Sequence, residues 1–449
     1  MKKLLFFFLP LFFTGILFAQ STSETAMDTV SIIEKKDKLS LNGFVRGSVF
    51  GGGETWQLAS AFAEMALQAE FKSGKAFFKS DIRLRKGVFF GENDQMIQFK
   101  ELFAGYRGEK LDALMGNQII NWGRTDGFNP TNNITPNDYF FLSSNPDDQK
   151  ESNFMLRLKY RFIPAIELDL IAIPFYASSN YRYDLFEMGE NVNFGAEIIP
   201  PKELNNSTLA ARLNFEFPAA GWSVSYFNGF DPYHGFDVQS VDWTSGMPLL
   251  TNVSTPYRKT TLGADVAIPL GNWIFRAEAA YNTTKNPDSN MFIPLSDVGY
   301  VAAIETNIAG VTLIGQYIGK YTPDFFDLPL PVLSNPMDPM AQFQYANQMI
   351  DYENRLFNRK IFYQQEKTNH AVSLTLSKSF GYDAWNAELT NYYNFTSNEM
   401  ILRPKLSWKI TDALTSAIGV NYMQGDSKSL FGYSSKVMNG GFLELKVTF

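Results

Sequence analysis

Gly441-Phe-Leu-Glu-Leu-Lys-Val-Thr-Phe449 ends the chain in strict two-residue alternation. Leu443, Leu445, Val447 and Phe449 fall on one face, and Glu444, Lys446 and Thr448 on the other. Successive side chains of a strand point to opposite faces, so this strand meets two different solvents. The pattern recurs upstream. Ala61, Ala63, Met65, Leu67, Ala69 and Phe71 oppose Glu64, Gln68 and Glu70, while Phe154, Leu156, Leu158, Tyr160 and Phe162 oppose Arg157, Lys159 and Arg161. Leu209, Ala211, Leu213, Phe215 and Phe217 oppose Arg212, Asn214 and Glu216; Trp273, Phe275, Ala277, Ala279 and Tyr281 oppose Arg276, Glu278 and Asn282. A soluble sandwich also alternates, so periodicity alone does not say which face is inside.

Connection lengths carry that decision. Strands read near 39–50, 57–72, 75–88, 95–107, 110–121, 153–162, 165–176, 206–217 and 221–230 in the first half. The second half gives 257–269, 272–283, 297–308, 311–321, 361–379, 384–396, 399–410, 413–424 and 438–449. Alternate connections are tight, such as Ser73-Gly74, Leu270-Gly271 and Ala309-Gly310, and the others include long ones at 122–152, 177–205, 231–256, 284–296 and 321–360. The expected fold is all-β: an antiparallel up-and-down transmembrane β-barrel of about 18 strands, or 16 if one weak strand merges, with short periplasmic turns and long extracellular loops. No stretch beyond the N-terminus approaches the roughly 18–20 apolar residues of a spanning helix. A membrane crossing must then be a closed barrel, because lipid offers an open backbone no hydrogen-bond partner.

Residues 1–19 read as a signal peptide: Lys2 and Lys3 precede an apolar run, and Ala19 offers a small residue for cleavage. Residues 20–38 read as a polar periplasmic lead-in, and 39–449 as the barrel. The chain has no cysteine, which excludes disulfides, thiolate metal sites and a lipid anchor on Cys. Aromatic residues make up 15%, yet mean hydropathy is only −0.16, as alternating strands with aromatic girdles give. The net charge of −7 argues against nucleic acid as a partner. In one long loop, Asp338-Pro339 reads as a helix N-cap followed by Pro at the first helical position, with Phe343, Ala346, Met349, Ile350 and Phe357 as a stripe over 338–357.

The C-terminal strand ending at Phe449 resembles the signature that the outer-membrane assembly machinery recognises. Gly116-Asn-Gln-Ile-Ile-Asn-Trp122-Gly-Arg-Thr-Asp-Gly-Phe-Asn-Pro130 resembles the strand-to-loop segment of poorly characterised porin-like outer-membrane barrels. That resemblance implies a barrel in the outer membrane of a Gram-negative bacterium and solute passage, without naming a substrate. The 122–152 connection is similar in position and length to the third loop of general porins. That likeness implies a fold into the lumen, where carboxylates face basic residues across a constriction; an outward, solvated loop is the alternative.

The expected function is therefore a porin-like channel for small polar or charged solutes through a charged, water-filled lumen. Charges are costly to bury dry and cheap in water. Candidate pore-lining residues are Arg46, Lys79, Arg83, Arg85, Arg157, Lys159, Arg212, Arg276, Arg403 and Lys405. Candidate constriction-loop residues are Asp126, Asp138, Asp147, Asp148 and Glu151. Expected partners are outer-membrane lipid, the assembly machinery, small polar solutes and a homo-oligomeric copy. No cofactor or metal is expected. The alternative is a structural or accessory barrel in a surface complex. A hydrolase is the weakest reading, because the chain has two histidines, and only His370, beside Asn369 and Ser373, offers a candidate.

Overall fold

The computed structural model describes residues 38–53 and 57–449. The expected signal peptide and residues 20–37 of the lead-in lie outside the described residues. Strands β1 (Lys38–Gly52), β2 (Gln57–Ser73), β3 (Ala76–Phe89), β4 (Glu92–Arg107), β5 (Leu111–Gln118), β6 (Asn153–Ile163) and β7 (Ile166–Ile173) form one arc of the wall. It continues through β9 (Thr208–Phe217), β10 (Ala220–Phe230), β13 (Arg258–Leu270), β14 (Trp273–Thr284), β15 (Asp297–Ile308) and β16 (Val311–Tyr321). β17 (Thr368–Phe380), β18 (Trp385–Asn394), β19 (Glu399–Lys409), β20 (Leu414–Gln424) and β21 (Gly440–Thr448) complete it. These 18 strands make one antiparallel sheet, closed by β1 on β21 with Arg46 opposite Lys446 and Ser48 opposite Glu444. Gly43 and Phe449 extend the seam by exchanging backbone hydrogen bonds of 2.9 and 3.0 Å.

The two faces are the reverse of a soluble sandwich. Leu443, Leu445 and Val447 are 46–50% exposed on the outer wall, whereas Glu444 between them is 5% exposed. An exposed apolar belt around a closed ring of paired backbone is a surface made for lipid. No helix among the described residues is long and apolar enough to cross a membrane. Outward aromatics ring the turn end, where Trp385 lies parallel to Trp408 at 5.0 Å and Phe215 stacks on Trp222 at 3.8 Å. The turns are tight for a local reason: Ala309 (φ 51°) and Gly310 (φ 76°) both take the left-handed conformation that a two-residue hairpin needs.

The loop end departs from the sequence reading. β8 (Val192–Phe194), β11 (Gly235–Asp242) and β12 (Leu249–Thr255) make a separate three-stranded sheet inside loops expected to be irregular. Helix α2 (Leu430–Met438), capped by Ser429, occupies another loop and delays β21 to Gly440. Helix α1 (Pro339–Ile361) begins as expected, with Asp338 accepting from the Met340 N–H at 3.0 Å. It continues to Ile361, so β17 starts at Thr368 rather than 361. Phe140, Tyr183, Phe186, Phe236, Phe357 and Phe431 join in one buried aromatic core over the mouth.

Candidate functional site: a loop across the lumen

The loop after β5 turns inward along the inner faces of β6, β7, β9 and β10. Ile120, Trp122 and Ile134 pack there on Met155, Ile171, Ile173, Ala210 and Phe227. Its tip crosses the barrel, because the Phe128 ring stacks on Tyr392 of β18 at 5.2 Å. β5 is the fifth and β18 the fifteenth of 18 wall strands, so they stand on opposite sides.

The returning arm docks on β1–β4 and β21. Asn145 caps the single turn Pro146–Gln149, which carries Asp148. Asp148 Oδ2 lies 2.6 Å from Arg46 Nη1, and Oδ1 lies 3.0 Å from Arg83 Nη1. Arg46 also pairs with Glu64 at 2.7 Å and Glu444 at 3.5 Å, and Arg85 reaches Glu64 at 2.6 Å. The Arg85 guanidinium lies 3.8 Å from the centre of the Phe141 ring. Burial pushes the Asp148 carboxyl up, but Arg46, Arg83 and the Ser143 hydroxyl outweigh it and hold the group well below the ordinary carboxylate range. Glu151 goes the other way. Burial raises it, and Lys100 at 3.9 Å and Gln98 at 2.7 Å only partly offset that.

A bulge in the β3–β4 pairing between Asp81 and Ile82 turns both Lys100 and Glu101 toward the lumen. Lys100 then donates to the carbonyls of Asp148 (2.6 Å) and Lys150.

The outgoing arm docks on the opposite wall. Arg124 pairs with Asp265 of β13 (2.7 Å) and Glu216 of β9 (2.6 Å). Asp126 lies 3.5 Å from Arg276, and its carbonyl accepts from Gln316 of β16 at 2.7 Å. Thr131 donates its N–H and hydroxyl to Glu278 of β14 at 2.9 and 2.7 Å.

The loop thus gathers Arg46 and Arg83 against Asp148, Arg85 against the Phe141 ring, and Arg276 against Asp126. Arg46, Arg83 and Arg85 point into the barrel but are only 2–7% exposed, sealed beneath the loop. Other candidates find partners elsewhere on the wall or within the loop. Lys79 pairs with Glu101 (2.5 Å), Arg157 with Asp169 (2.6 Å), Lys159 with Glu167 (2.6 Å) and Arg212 with Asp265 (2.9 Å). Asp147 pairs outward with Lys150 at 2.6 Å. Asp138 accepts the Phe140 N–H at 3.0 Å in a local turn, its carboxyl raised by burial. Lys405 meets Glu388 (3.1 Å) and the Ser144 carbonyl (3.4 Å), while Arg403 donates to Asn421 at 2.6 Å. Among the described residues Arg403 has no carboxylate partner.

The hydrolase constellation does not assemble. Asn369 and Ser373 are buried on the inner face, but His370 sits on the outer face, its Nδ1 2.5 Å from the Tyr317 hydroxyl.

No known family's sequence model matches this chain, and no curated protein sequence does. Solved structures do. The outer membrane protein OpdK from Pseudomonas aeruginosa superimposes with a TM-score of 0.52 at 8% identity, over 92% of this chain and 98% of that one. OccK2 (OpdF) of the same organism, solved in complex with glucuronate, gives 0.53 at 9% identity over 92% and 98%. Acinetobacter baumannii OccAB2 gives 0.51 at 12% over 92% and 98%. The likeness is one of fold.

Sequence reasoning placed the inward charges but missed the anchors. Lys100 was hidden because a bulge breaks the two-residue count on which inward assignments rest. Glu278 was visible as inward, but nothing local tells that its partners lie some 150 residues earlier. The gathering of Gly, Thr and Asn at 123–131 was the one signal available.

Proposed function

We propose that this protein is a porin-like channel of a Gram-negative outer membrane, passing small polar solutes around an inward-folded loop. The observation that carries the reading is the loop tip stacked on the far wall, Phe128 on Tyr392, inside a barrel whose outer face is apolar. Such a loop narrows the lumen and sets charges across it, a transverse field that orients polar solutes. The open side is the wall of β17–β20, where Ser377, Glu388, Thr390, Arg403 and Lys405 remain partly exposed beside the small Ala417 and Gly419. With Arg403 unneutralised by any carboxylate among the described residues, this wall favours anionic solutes. A carboxylate-bearing solute of the size of the glucuronate held by the OccK2 neighbour suits it.

Residues 1–19 act as the export signal in this reading. The C-terminal strand, with Phe449 outward and 60% exposed, serves as the handle for the assembly machinery. A homo-oligomer would bury part of the apolar belt, and particle mass in mild detergent checks it.

Planar-bilayer recording tests the function. We expect discrete ohmic steps with a reversal potential showing anion preference, and Arg403→Gln should move that potential toward zero. The aromatic core over the mouth favours a second reading, an accessory barrel held in a surface complex. A barrel that stays silent in the bilayer would select it.

A further inference from the structure

The motif Gly123-Arg-Thr-Asp-Gly-Phe-Asn-Pro-Thr131 is the most distinctive local sequence in the chain, and solute passage does not account for it. Its backbone and side chains close on one carboxylate. Glu278 Oε2 accepts from the N–H of Arg124 at 3.1 Å, the N–H of Thr125 at 3.5 Å and Asn129 Nδ2 at 3.3 Å. The Thr125 hydroxyl stands 3.0 Å from the same oxygen and shares its proton with the Phe128 carbonyl. Oε1 accepts both the N–H and the hydroxyl of Thr131. Successive N–H groups turned toward one anion form a nest, and its bonds to an ionised acceptor are the strong kind.

Gly123 explains the motif's first position. Its φ is +101°, and a Cβ there would stand 2.4 Å from Glu278 Oε2 and 2.6 Å from Asn129 Nδ2. A side chain would occupy the place of the carboxylate. Thr131 also lies against Gly263, where a Cβ would stand 2.7 Å from its Cγ2, so the wall of β13 is cut back to let the motif seat.

We propose that residues 123–131 are an internal carboxylate receptor, and that Glu278 is the positioning residue that holds the loop across the lumen by filling it. Glu278 acts through the loop rather than on the solute. Because the receptor recognises a carboxylate rather than a particular side chain, it binds small free carboxylates once Glu278 is removed.

The test uses the full-length barrel and two readouts. In Glu278→Ala, amide hydrogen exchange at Arg124, Thr125 and Thr131 should accelerate roughly tenfold or more. Added sodium formate, but not matched sodium chloride, should restore the slow exchange. The conductance arm rests on the channel reading: Glu278→Ala should show larger or flickering steps, returned to the wild-type level by formate. Gly123→Ala, which keeps the carboxylate and blocks the nest, should free the same amides with no formate rescue, and it serves if Glu278→Ala does not fold. Unchanged exchange in both variants overturns the proposal. Acceleration that formate and chloride affect alike overturns the receptor. A silent wild type sinks the channel reading alone, and exchange then decides the nest.

Discussion

Asp148 shows why the charged inner face does not read simply as wetted wall. Its carboxylate sits between Arg46 and Arg83 at 6% exposure, and each arginine has another acidic neighbour, Glu64 or Asp81. Removing one member of a buried ion pair strands its partner, which costs about 3–5 kcal/mol when no other charge remains. Here Glu64, Glu444 and Asp81 remain, so Asp148→Asn should cost roughly 1–3 kcal/mol, read as a lower urea midpoint with the loop loosened. The pH dependence follows from the direction of the shift. A carboxyl held below its ordinary value stabilises the docked loop at every pH above the usual carboxylate range, and loses that only as pH falls through the depressed value. The midpoint of the Asp148 contribution should therefore stay flat from neutral pH to about 4.5. A loss already visible at pH 6 would show that another group controls the latch. The sequence placed Arg46, Arg83, Glu64 and Glu444 on the charged face of alternating strands and Asp148 in the long loop, and missed Lys100. It could not pair them, because pairing depends on which of several long loops enters the barrel.

At the scale of the element, the loop-end core is the part that alternation could not reveal. Strand periodicity stops at the barrel rim, and aromatic residues in long loops carry no period of their own. Yet β8, β11, β12 and α1 assemble there around Tyr183 and Phe236, whose rings meet edge-on at 4.7 Å. The start of α1 was legible, since Asp338-Pro339 is a local cap signal, and Asp338→Ala should cost about 1 kcal/mol, seen as faster amide exchange in the first helical turn. His234 is the weak point of this core. It is 4% exposed, neither ring nitrogen has a hydrogen-bond partner among the described residues, and Tyr181, Glu197 (Oε1 at 4.0 Å) and Phe236 face it, with Asp231 on its own segment tied to Lys259. Burial lowers its pKa to about 4, with Asp231 opposing weakly. A histidine neutral in the packed state and near 6.5 when freed makes packing fully stable above pH 6.5 and progressively weaker from there down to about 4. That shift amounts to roughly 3 kcal/mol at most. Protease nicking of loops 177–205 and 231–256 should rise between pH 7 and 5, and His234→Phe should abolish the rise. Equal pH sensitivity in the variant would assign it elsewhere.

For the whole molecule, the deciding question is which solvent meets the apolar face, and here sequence and structure answer by different routes. Sorting tight turns from long connections pointed to about 18 strands, with 16 as the alternative, and the closed sheet has 18, because turn length depends on local chemistry that the chain carries at each hairpin. What periodicity left open was the sense of the wall, and burial supplies it: Met65 is 42% exposed while its neighbour Glu64 is 1% exposed. Met65 lies in the middle of β2, opposite Val45, itself 46% exposed. In water, placing Arg at an exposed Met is a surface change worth no more than about 0.5 kcal/mol in either direction. In the middle of a bilayer it costs about 2–4 kcal/mol, because the guanidinium must be drawn into hydrocarbon or the lipid must thin around it. Met65→Arg, measured by urea titration of folding into lipid vesicles, should therefore lose about 2–4 kcal/mol, and the loss should shrink for the same substitution at Leu39 near the turn-end rim. A loss within about 0.5 kcal/mol at both positions would mean that the belt faces water, and the membrane placement would fall with it.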